Sequence, residues 1–384
     1  MPGWQTLHPM APATTDRLAA LRARTPRMVE ELGALVSVES PSADTGACAE
    51  CARVVAEQGR ELLGREPEVI TADDGHTHLL WRFGTPRVVL IGHFDTVWPK
   101  GTLQRKPFAV NEGRATGPGV FDMKAGIVQG FHALNTLDSL DGVAVLLNSD
   151  EEIGSDSSRA LIEETARGLE AALVLEPSAG SALKVARKGV SMYHLTVHGR
   201  AAHAGLEPER GVNALLELAH RVVALGALAR PELGTTVTPT VAQAGTTGNV
   251  VPAMAALQVD VRALQPDEQR RVDDEIRAMA TTVSGAEVVV EGGPNRPPLP
   301  EQASHQLFDR AQAIAERLGI GPLQGITVGG GSDGNFTAAT GTPTLDGLGA
   351  VGDGAHAEHE HVVVASMAER AALVAALVED LLGR

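Results

Sequence analysis

This chain has little cysteine, a single tyrosine, no long apolar run and no excess of positive charge. Its two Cys among 384 residues cannot build a disulfide framework, which suggests a reducing compartment and predicts a cytoplasmic location. No stretch approaches the roughly 20 apolar residues of a membrane-spanning helix, and residues 1–25 lack the apolar segment of a signal peptide. The net charge of −16 argues against a nucleic-acid partner, because phosphate binding needs a basic surface.

The remaining composition is that of an ordinary globular protein, with 43% hydrophobic and 21% charged residues. The length suggests two or three domains. Cys48 and Cys51 have the spacing of a redox or metal pair, but the sequence has no second pair to complete a four-sulfur site. Because residues 47–63 are predicted to form one helix, we interpret the two cysteines as neighbours on it.

Residues 91–97 (IGHFDTV) are the most informative string, because they place His93 and Asp95 at the end of an apolar β run. Three acidic motifs and a late histidine follow, each at a strand-like end or in a glycine loop: GPGVFD (117–122), NSDEE (148–152), LVLE (173–176) and GAHAEHE (354–360). A soluble protein gains nothing from converging carboxylates unless a cation neutralises them. Two histidines and three carboxylates suit a two-metal centre with nitrogen and oxygen ligands.

Helix-like and strand-like segments alternate up to residue 176. Helices are predicted at 26–36, 48–63, 123–137 and 157–167, and strands at 77–83, 87–92, 142–148 and 172–175. This alternation predicts an α/β fold with a mixed, largely parallel sheet flanked by helices. In such sheets, ligands bind beyond the carboxyl ends of the strands, where the acidic motifs lie.

The pattern changes between residues 189 and 291 to strand, helix, strand, strand, helix, strand. Helices are predicted at 212–228 and 267–283, and strands around 193–197, at 236–244, 255–261 and 288–290. This order predicts a ferredoxin-like βαββαβ lobe inserted into the first domain. Residues 292–300 are interpreted as a rigid, proline-rich return linker. We therefore expect a catalytic domain of residues 1–187 and 299–384 and an inserted dimerisation and lid domain of residues 188–298.

Six motifs in order resemble those of a known family: GHFDTV (92–97), GPGVFDMKAG (117–126), DEEIGS (150–155), EPS (176–178), GRAAHAG (199–205) and GGGSD (329–333). They are similar to the dizinc aminoacylase–carboxypeptidase family, which includes glutamate carboxypeptidase, acetylornithine deacetylase and succinyl-diaminopimelate desuccinylase. Residues 95–101 (DTVWPKG), 175–177 (LEP) and 295–297 (NRP) resemble the glutamate carboxypeptidase branch most closely.

The resemblance implies two Zn²⁺ per subunit, for which Co²⁺ or Mn²⁺ could substitute. His93 and Glu176 would bind one ion, His356 and Glu152 the other, and Asp122 would bridge them. The charges of two zinc ions would then be balanced by these three carboxylates and one bridging hydroxide. A cis peptide bond is expected directly after Asp122.

Asp95 would orient His93, and Glu151 would be the general base. Glu151 is left for this role because adjacent side chains at a strand end point in opposite directions, so only Glu152 should face the ions. His359 and His361 match no motif and are interpreted as surface residues. Glu360 is expected to be a structural acid.

The resemblance also implies residues that contact the substrate. His203 would stabilise the oxyanion in the partner subunit's active site, which requires a homodimer. The substrate-binding candidates are Asn249, Arg262, Arg296, Gly330, Gly331 and Ser332. Arg296 matches the arginine that grips a substrate carboxylate in the glutamate branch, a task that suits its bidentate fork.

The expected function is a carboxypeptidase-like amide hydrolase that releases a C-terminal amino acid, with glutamate as the first candidate. An N-acyl amino acid deacylase or a dipeptidase would share the metal centre, and the motifs alone do not separate them. A non-catalytic binding homologue is disfavoured, because it should lack a ligand or the base. The expected partner molecules are a small peptide or N-acyl amino acid and a second copy of the chain, with no nucleic acid and no membrane.

Overall fold

The computed structural model describes residues 14–384, which form two compact units. The first unit runs to Val185 and includes Glu301–Ile326 and Thr340–Arg384, and the second comprises Ala186–Pro300 and Thr327–Ala339. Residues 327–339 therefore group with the second unit, although we had expected them in the first. Asn335 is one reason, since its amide donates to the backbone carbonyls of Lys188 and Pro297 at 3.2 and 2.7 Å. Residues 1–13, part of the segment judged to lack a signal peptide, lie outside the described range.

The strands are numbered along the chain as β1 (Glu68–Thr71), β2 (Thr77–Phe83), β3 (Val88–His93), β4 (Ala109–Asn111), β5 (Arg114–Thr116), β6 (Val143–Asn148), β7 (Ala171–Val174), β8 (Leu183–Arg187), β9 (Gly189–His198), β10 (Thr236–Ala244), β11 (Met254–Ala263), β12 (Glu287–Arg296), β13 (Gly325–Val328), β14 (Thr344–Leu345), β15 (Gly352–Asp353) and β16 (His361–Val363). The helices are α1 (Thr14–Ala23), α2 (Thr25–Val36), α3 (Thr45–Leu63), α4 (Ala125–Leu134), α5 (Arg159–Ala166), α6 (Ala214–Gly226), α7 (Pro266–Ala278), α8 (Glu301–Leu318), α9 (Gly334–Ala339) and α10 (Val364–Leu382).

The first unit is built on a six-stranded sheet in the order β1-β2-β6-β3-β7-β14. Strands β6, β3, β7 and β14 are parallel neighbours, while β1 and β2 pair antiparallel at one side. The four parallel strands are apolar and buried along most of their length, as strands covered on both faces should be. This confirms the predicted mixed, largely parallel sheet.

Helix α4 crosses the sheet close to the point where β7 ends. All of its residues are buried, as expected for a helix that carries almost no polar side chains. Gly126 permits the close approach, because a Cβ atom there would lie 2.1 Å from the carbonyl oxygen of Leu175. The helix starts at Ala125 rather than at Met123 as predicted, since Asp122 and Met123 have non-helical φ and ψ angles.

A small four-stranded sheet in the first unit, in the order β15-β16-β5-β4, carries the late histidine motif. Strand β16 pairs antiparallel with β5, with His361 opposite Thr116. This pairing brings the loop between β15 and β16 beside the GPGVFD loop that follows β5.

The second unit contains a four-stranded antiparallel sheet in the order β10-β11-β9-β12. With α6 after β9 and α7 after β11, this is the predicted ferredoxin-like arrangement. The two helices pack on the sheet around a separate apolar core that includes Leu195, Leu218, Leu257 and Ile276. The lobe therefore has a hydrophobic core of its own.

Two predictions in the lobe differ most from the structure. Helix α7 ends at Ala278 instead of residue 283, because the following segment is bound elsewhere: buried Glu217 accepts hydrogen bonds from the backbone N–H groups of Thr282 and Val283 at 2.8 and 2.7 Å. Residues 292–296, interpreted as linker, continue strand β12. Pro294 is tolerated there because β12 is an edge strand, where a missing N–H need not break the ladder.

Across residues 14–384, no helix combines the length and the apolar character that crossing a bilayer would require.

Candidate metal centre

Six of the predicted site side chains converge in the first unit, at the edge where its parallel strands end. They are His93, Asp122, Glu151, Glu152, Glu176 and His356. Three strands place four of them, since β3 ends at His93, β6 precedes the two adjacent glutamates and β7 ends two residues before Glu176. The other two side chains come from the loop before α4 and the loop between β15 and β16.

Asp122 lies between the two histidines. Its Oδ1 atom is 3.3 Å from Nε2 of His93, and its Oδ2 atom is 3.5 Å from Nε2 of His356. The second neighbour of His93 is Glu176, with Oε1 at 3.4 Å, and the second neighbour of His356 is Glu152, with Oε2 at 3.0 Å. The cluster thus consists of two histidine–carboxylate sets that share one aspartate.

The donor set fits divalent metal ions. Nε2 of His93 and Oδ1 of Asp122 are buried and lie 3.3 Å apart without the geometry of a hydrogen bond, and within residues 14–384 neither atom has another hydrogen-bond partner. Buried polar atoms are normally satisfied, so such a pair needs an explanation. Imidazole nitrogens with carboxylate oxygens are ligands that zinc accepts readily. His93, Asp122 and Glu152 can each offer one atom to a common cation position.

The electrostatics of the cluster favour positive charge. Burial opposes the protonation of His93, yet Asp122, Asp95 and Glu176 raise its pKa well above the usual value. Hydrogen bonds to Asp122 and Glu152 raise the pKa of His356 to about 10. Burial raises the pKa of Glu152 to about 7, the sign of a carboxylate with too little compensating charge. These pKa shifts indicate that the cluster needs positive charge, which divalent cations would supply.

Asp95 holds His93 in place. Nδ1 of His93 lies 3.1 Å from the backbone carbonyl of Asp95 and 3.4 Å from its carboxylate. That carboxylate is fully buried and accepts hydrogen bonds from Oγ of Ser42 at 2.6 Å and from the backbone N–H of Glu152 at 3.1 Å. The arrangement turns Nε2 of His93 toward the acidic cluster and suits the orienting role predicted for Asp95.

Glu151 and Glu152 do not leave the backbone as neighbours on a strand. Strand β6 ends at Asn148, and Glu151–Ile153 form one turn of 3₁₀-helix. Strand alternation therefore does not separate these two side chains, and the prediction that rested on it is wrong. Oε2 of Glu151 lies 4.0 Å from Nε2 of His93, and Glu151 can share a cation position with His93 and Glu176. Geometry alone permits Glu151 to act as a ligand or as a base.

Glu360 joins the two loops that carry Asp122 and His356. Its buried carboxylate accepts hydrogen bonds from the backbone N–H groups of residues 119, 121 and 122 at 3.0–3.2 Å and from Nε1 of Trp98 at 2.7 Å. These four donors satisfy a carboxylate whose burial would otherwise cost free energy of folding. Glu360 therefore has the structural position expected for it, and it fixes the backbone at Asp122.

The loop before α4 needs glycine and contains the expected irregular peptide. Gly119 has φ of +70°, and a Cβ atom there would lie 2.4 Å from Cγ2 of Thr96. The Asp122–Met123 peptide bond is cis.

On the loop between β15 and β16, His356 has a left-handed φ of +62° and its side chain is half exposed. His359 is exposed, and His361 lies in β16 with its ring directed to the backbone of residue 359.

In the second unit, the loops that carry His203 and Asn249 lie side by side. The N–H of Ala204 donates to the carbonyl of Asn249 at 2.9 Å, and both His203 and Asn249 are exposed. Nδ1 of His203 accepts hydrogen bonds from the N–H groups of Gly205 and Leu206, each at 3.1 Å. An Nδ1 atom that accepts leaves Nε2 as the donor of the neutral ring, so the exposed His203 offers a donor at Nε2.

The other substrate-binding candidates already have protein partners. Arg262 lies within β11 and binds the carboxylate of Asp260 at 2.7 Å. Arg296 is buried, with Nη2 3.5 Å from Asp333 and its guanidinium over the ring of Phe336. The carbonyls of Gly330 and Gly331 accept from Nη1 of Arg187, and the buried Ser332 hydroxyl accepts from the N–H of Gly334.

Sequence reasoning missed two polar residues beside the acidic cluster. Ser42 donates to Asp95 from 53 positions earlier in the chain, and Nζ of Lys184 lies 3.7 Å from Oε2 of Glu176. Neither residue stands in a motif that ties it to metal chemistry.

Cys48 and Cys51 are free and buried on α3. Burial raises the pKa of the Cys48 thiol to about 12, which suits an inert thiol.

The chain is similar to a family of peptidases and to several known proteins. The profile of the peptidase family M20/M25/M40 matches residues 89–380. The chain is 30% identical over 376 residues to carboxypeptidase G2 of Pseudomonas sp. (strain RS-16), covering 93% of this chain and 89% of the relative. It is 29% identical over 333 residues to succinyl-diaminopimelate desuccinylase of Halorhodospira halophila, covering 80% of this chain and 87% of the relative. The solved structure of aminopeptidase PepT from Bacillus cereus shares the fold, with a TM-score of 0.74, 24% identity and coverage of 93% and 99%.

The fold and the histidine–carboxylate cluster define a metal-dependent hydrolase. The chain belongs to the peptidase family M20/M25/M40 and is a metallopeptidase or amidohydrolase of that family.

Proposed function

We propose that this protein is a co-catalytic dizinc carboxypeptidase that cleaves the amide bond to a C-terminal amino acid, with glutamate as the first candidate. The observation that carries the proposal is the position of Asp122, whose two carboxylate oxygens each face a different histidine at 3.3 and 3.5 Å. One carboxylate between two nitrogen donors suits a two-metal site, in which a shared ligand holds the ions close together. The similarity to carboxypeptidase G2 supports the carboxypeptidase assignment.

His93 and Glu176 would hold one zinc ion, His356 and Glu152 the other, and Asp122 both. Bound zinc supplies Lewis acidity, which polarises the scissile carbonyl and makes water acidic near neutral pH. Glu151 would take a proton from the attacking water at its carboxylate oxygen and pass it to the leaving nitrogen as the C–N bond breaks. Asp95 would keep the His93 ring oriented throughout.

Two alternatives use the same centre. An N-acyl amino acid deacylase is supported by similarity to succinyl-diaminopimelate desuccinylase and by a shorter match to an N-acetyl-L-citrulline deacetylase of Xanthomonas campestris. A dipeptidase would differ only in how the substrate's amino terminus is bound. A non-catalytic homologue is disfavoured, because the five ligand candidates and Glu151 all stand together.

The lobe residues are proposed to recognise the leaving amino acid. Asn249 and His203 are exposed on adjacent loops and are available for a substrate. Arg296 is buried and contacts Asp333 at 3.5 Å, so a substrate carboxylate would compete with that contact. We therefore assign Asn249 first to the substrate's carboxylate or oxyanion, and keep Arg262, Arg296 and the Gly330–Ser332 segment as further candidates.

A substrate panel tests the proposal. Zinc-loaded protein should hydrolyse N-acyl and peptidyl amino acids that have a free C-terminal carboxylate, with the highest kcat/KM for glutamate. The matched C-terminal carboxamides should react at least ~10²-fold more slowly, because a site built for a polar group rejects analogues that lack it. Cleavage confined to acetyl or succinyl amino acids would favour the deacylase, and no cleavage at full metal content would favour the non-catalytic homologue.

The lobe is also proposed to form a homodimer. Strand β10 is an edge strand with mostly exposed residues. On α6, Leu215, Leu216 and Val223 are 47%, 51% and 76% exposed. An edge strand beside apolar helical residues suits pairing with a second copy. Oxyanion stabilisation in the partner subunit's site needs a hydrogen-bond donor, which Nε2–H of His203 would supply.

A cytoplasmic location is also proposed, because it suits the free cysteines.

Complementation tests the proposed dimer. His203→Ala should lower kcat by ~10²–10³, the usual cost of one oxyanion donor. When His203→Ala chains are mixed and exchanged with inactive Glu151→Gln chains, activity should return, because one site of the mixed dimer has both Glu151 and His203 of the partner subunit. His305→Ala, which removes an exposed histidine on α8 of the first unit, is the control that should not need rescue. If exchange is demonstrated and activity stays absent, His203 acts within its own chain or not at all.

A further inference from the structure

A pocket of about 540 Å³ adjoins the metal centre within the first unit. Three chain segments line it: residues 41–44, Thr96–Lys100 apart from Trp98, and Glu152 with Ile153. We call this the acyl pocket. Glu152 belongs both to its wall and to the candidate metal ligands, so the pocket is continuous with the proposed site of chemistry.

The walls of the acyl pocket are held rigidly. The N–H of Thr96 donates to the carbonyl of Ser40 at 2.8 Å, and the N–H of Ser42 donates back to the carbonyl of Thr96 at 3.2 Å. The Ser42 hydroxyl binds Asp95, which also accepts from the N–H of Glu152. Ser42 and Glu152 are thereby tied to the carboxylate that orients His93, and Thr96 is tied to the Ser40–Ser42 backbone.

The pocket offers apolar surface beside the metal ligands. Val97 is 42% exposed and Ile153 is 54% exposed. Val97 follows Thr96, which hydrogen-bonds Ser40, and Ile153 follows Glu152, a candidate metal ligand. Pro41 and Pro99 add further apolar wall. Exposed aliphatic side chains in a cleft next to polar catalytic groups are typical of a subsite for an apolar substrate group.

Charge at the rim argues against an acidic occupant. Among the described residues that line the pocket, Lys100 is the one cation, and its Nζ lies 3.4 Å from Oδ2 of Asp44. Asp44 also caps α3 by accepting from the N–H of Ala47 at 2.9 Å. An anionic acyl group would have to compete with a carboxylate that is already fixed by the helix.

We propose that the acyl pocket binds the acyl-side group of the substrate, on the carbonyl side of the cleaved bond, and that Val97 and Ile153 select bulky apolar groups there. This inference rests on the proposed amide hydrolase function and names the second half of its substrate. The candidates for recognising the leaving amino acid all come from the second unit. The acyl pocket is built wholly from the first unit, which leaves it to the acyl side.

The test compares substrates that share one leaving amino acid and differ in the acyl group, such as acetyl and benzoyl. The wild-type protein should prefer benzoyl. Val97→Ser and Ile153→Ser should each lower the benzoyl-to-acetyl ratio of kcat/KM by roughly five- to tenfold. This change lies at the low end of the discrimination that one methylene group gives in a hydrophobic pocket. Val110→Ser is the matched control, because Val110 is 44% exposed on β4 and does not line the pocket; its ratio should equal that of the wild type.

A binding measurement separates this inference from the function on which it rests. In Glu151→Gln protein, calorimetry should give the dissociation constant of the uncleaved benzoyl substrate, and added Val97→Ser or Ile153→Ser should weaken it by a similar factor. An unchanged ratio in an active enzyme would overturn the pocket assignment alone. A preference for succinyl that Lys100→Gln abolishes would show that the pocket selects anions and would also overturn it. No hydrolysis of any amide would instead refute the proposed function.

Discussion

Asp122→Ala should lose both metal ions. Asp122 has one carboxylate oxygen beside His93 and the other beside His356, so its removal takes a ligand from each half of the centre. Elemental analysis of the wild-type protein should find close to two divalent ions per chain. The variant should retain almost none after dialysis, and activity should fall with the metal content.

Two controls make the result specific. His356→Ala should lose mainly one ion, because His93, Asp122 and Glu176 still stand together. Asp73→Ala, which removes an exposed carboxylate from the same unit, should retain both. Full metal content in Asp122→Ala would refute the bridging role.

Glu151→Gln should keep the metals and lose the reaction. If Glu151 is the general base, an amide in its place cannot accept the proton of the attacking water. The rate should fall by ~10²–10⁴. Steady-state kinetics should show the loss mainly in kcat, while elemental analysis still finds two ions.

The structure gives this experiment a second outcome. Glu151 can share a cation position with His93 and Glu176, so it could be a ligand. Loss of one ion from Glu151→Gln would establish that role and remove Glu151 as the base. Glu164→Gln, exposed on α5, is the control for the substitution itself. Near-normal turnover with both ions present would exclude Glu151 from the mechanism.

Several strands were predictable because local patterns determine them. Strand β2 and strand β10 have the predicted bounds, and the predictions for β3 and β6 are within one residue. Apolar runs that end in an acidic or histidine motif specify a buried strand and its carboxyl end together. The helix prediction at residue 283 failed because the competing partner, Glu217, lies 65 residues away from Thr282 in the chain.

The sequence by itself determined the fold class, the inserted lobe and the identity of the residues that gather at the metal centre. Periodicity specifies which strands are buried, and the order of elements specifies a parallel sheet, which brings His93, Glu152 and Glu176 to one edge. These properties follow from the local backbone and from hydrophobic burial, both of which are readable along the chain.

Tertiary structure alone decided how the centre is supported. Ser42 reaches Asp95, and Glu360 joins the loops of Asp122 and His356, through contacts between distant segments that leave no periodic signal. It also decided that Glu151 and Glu152 leave a 3₁₀ turn and that Arg296 lies against Asp333. The physical reason is that a buried polar group must find a partner somewhere in the fold, and only the packed chain determines which one.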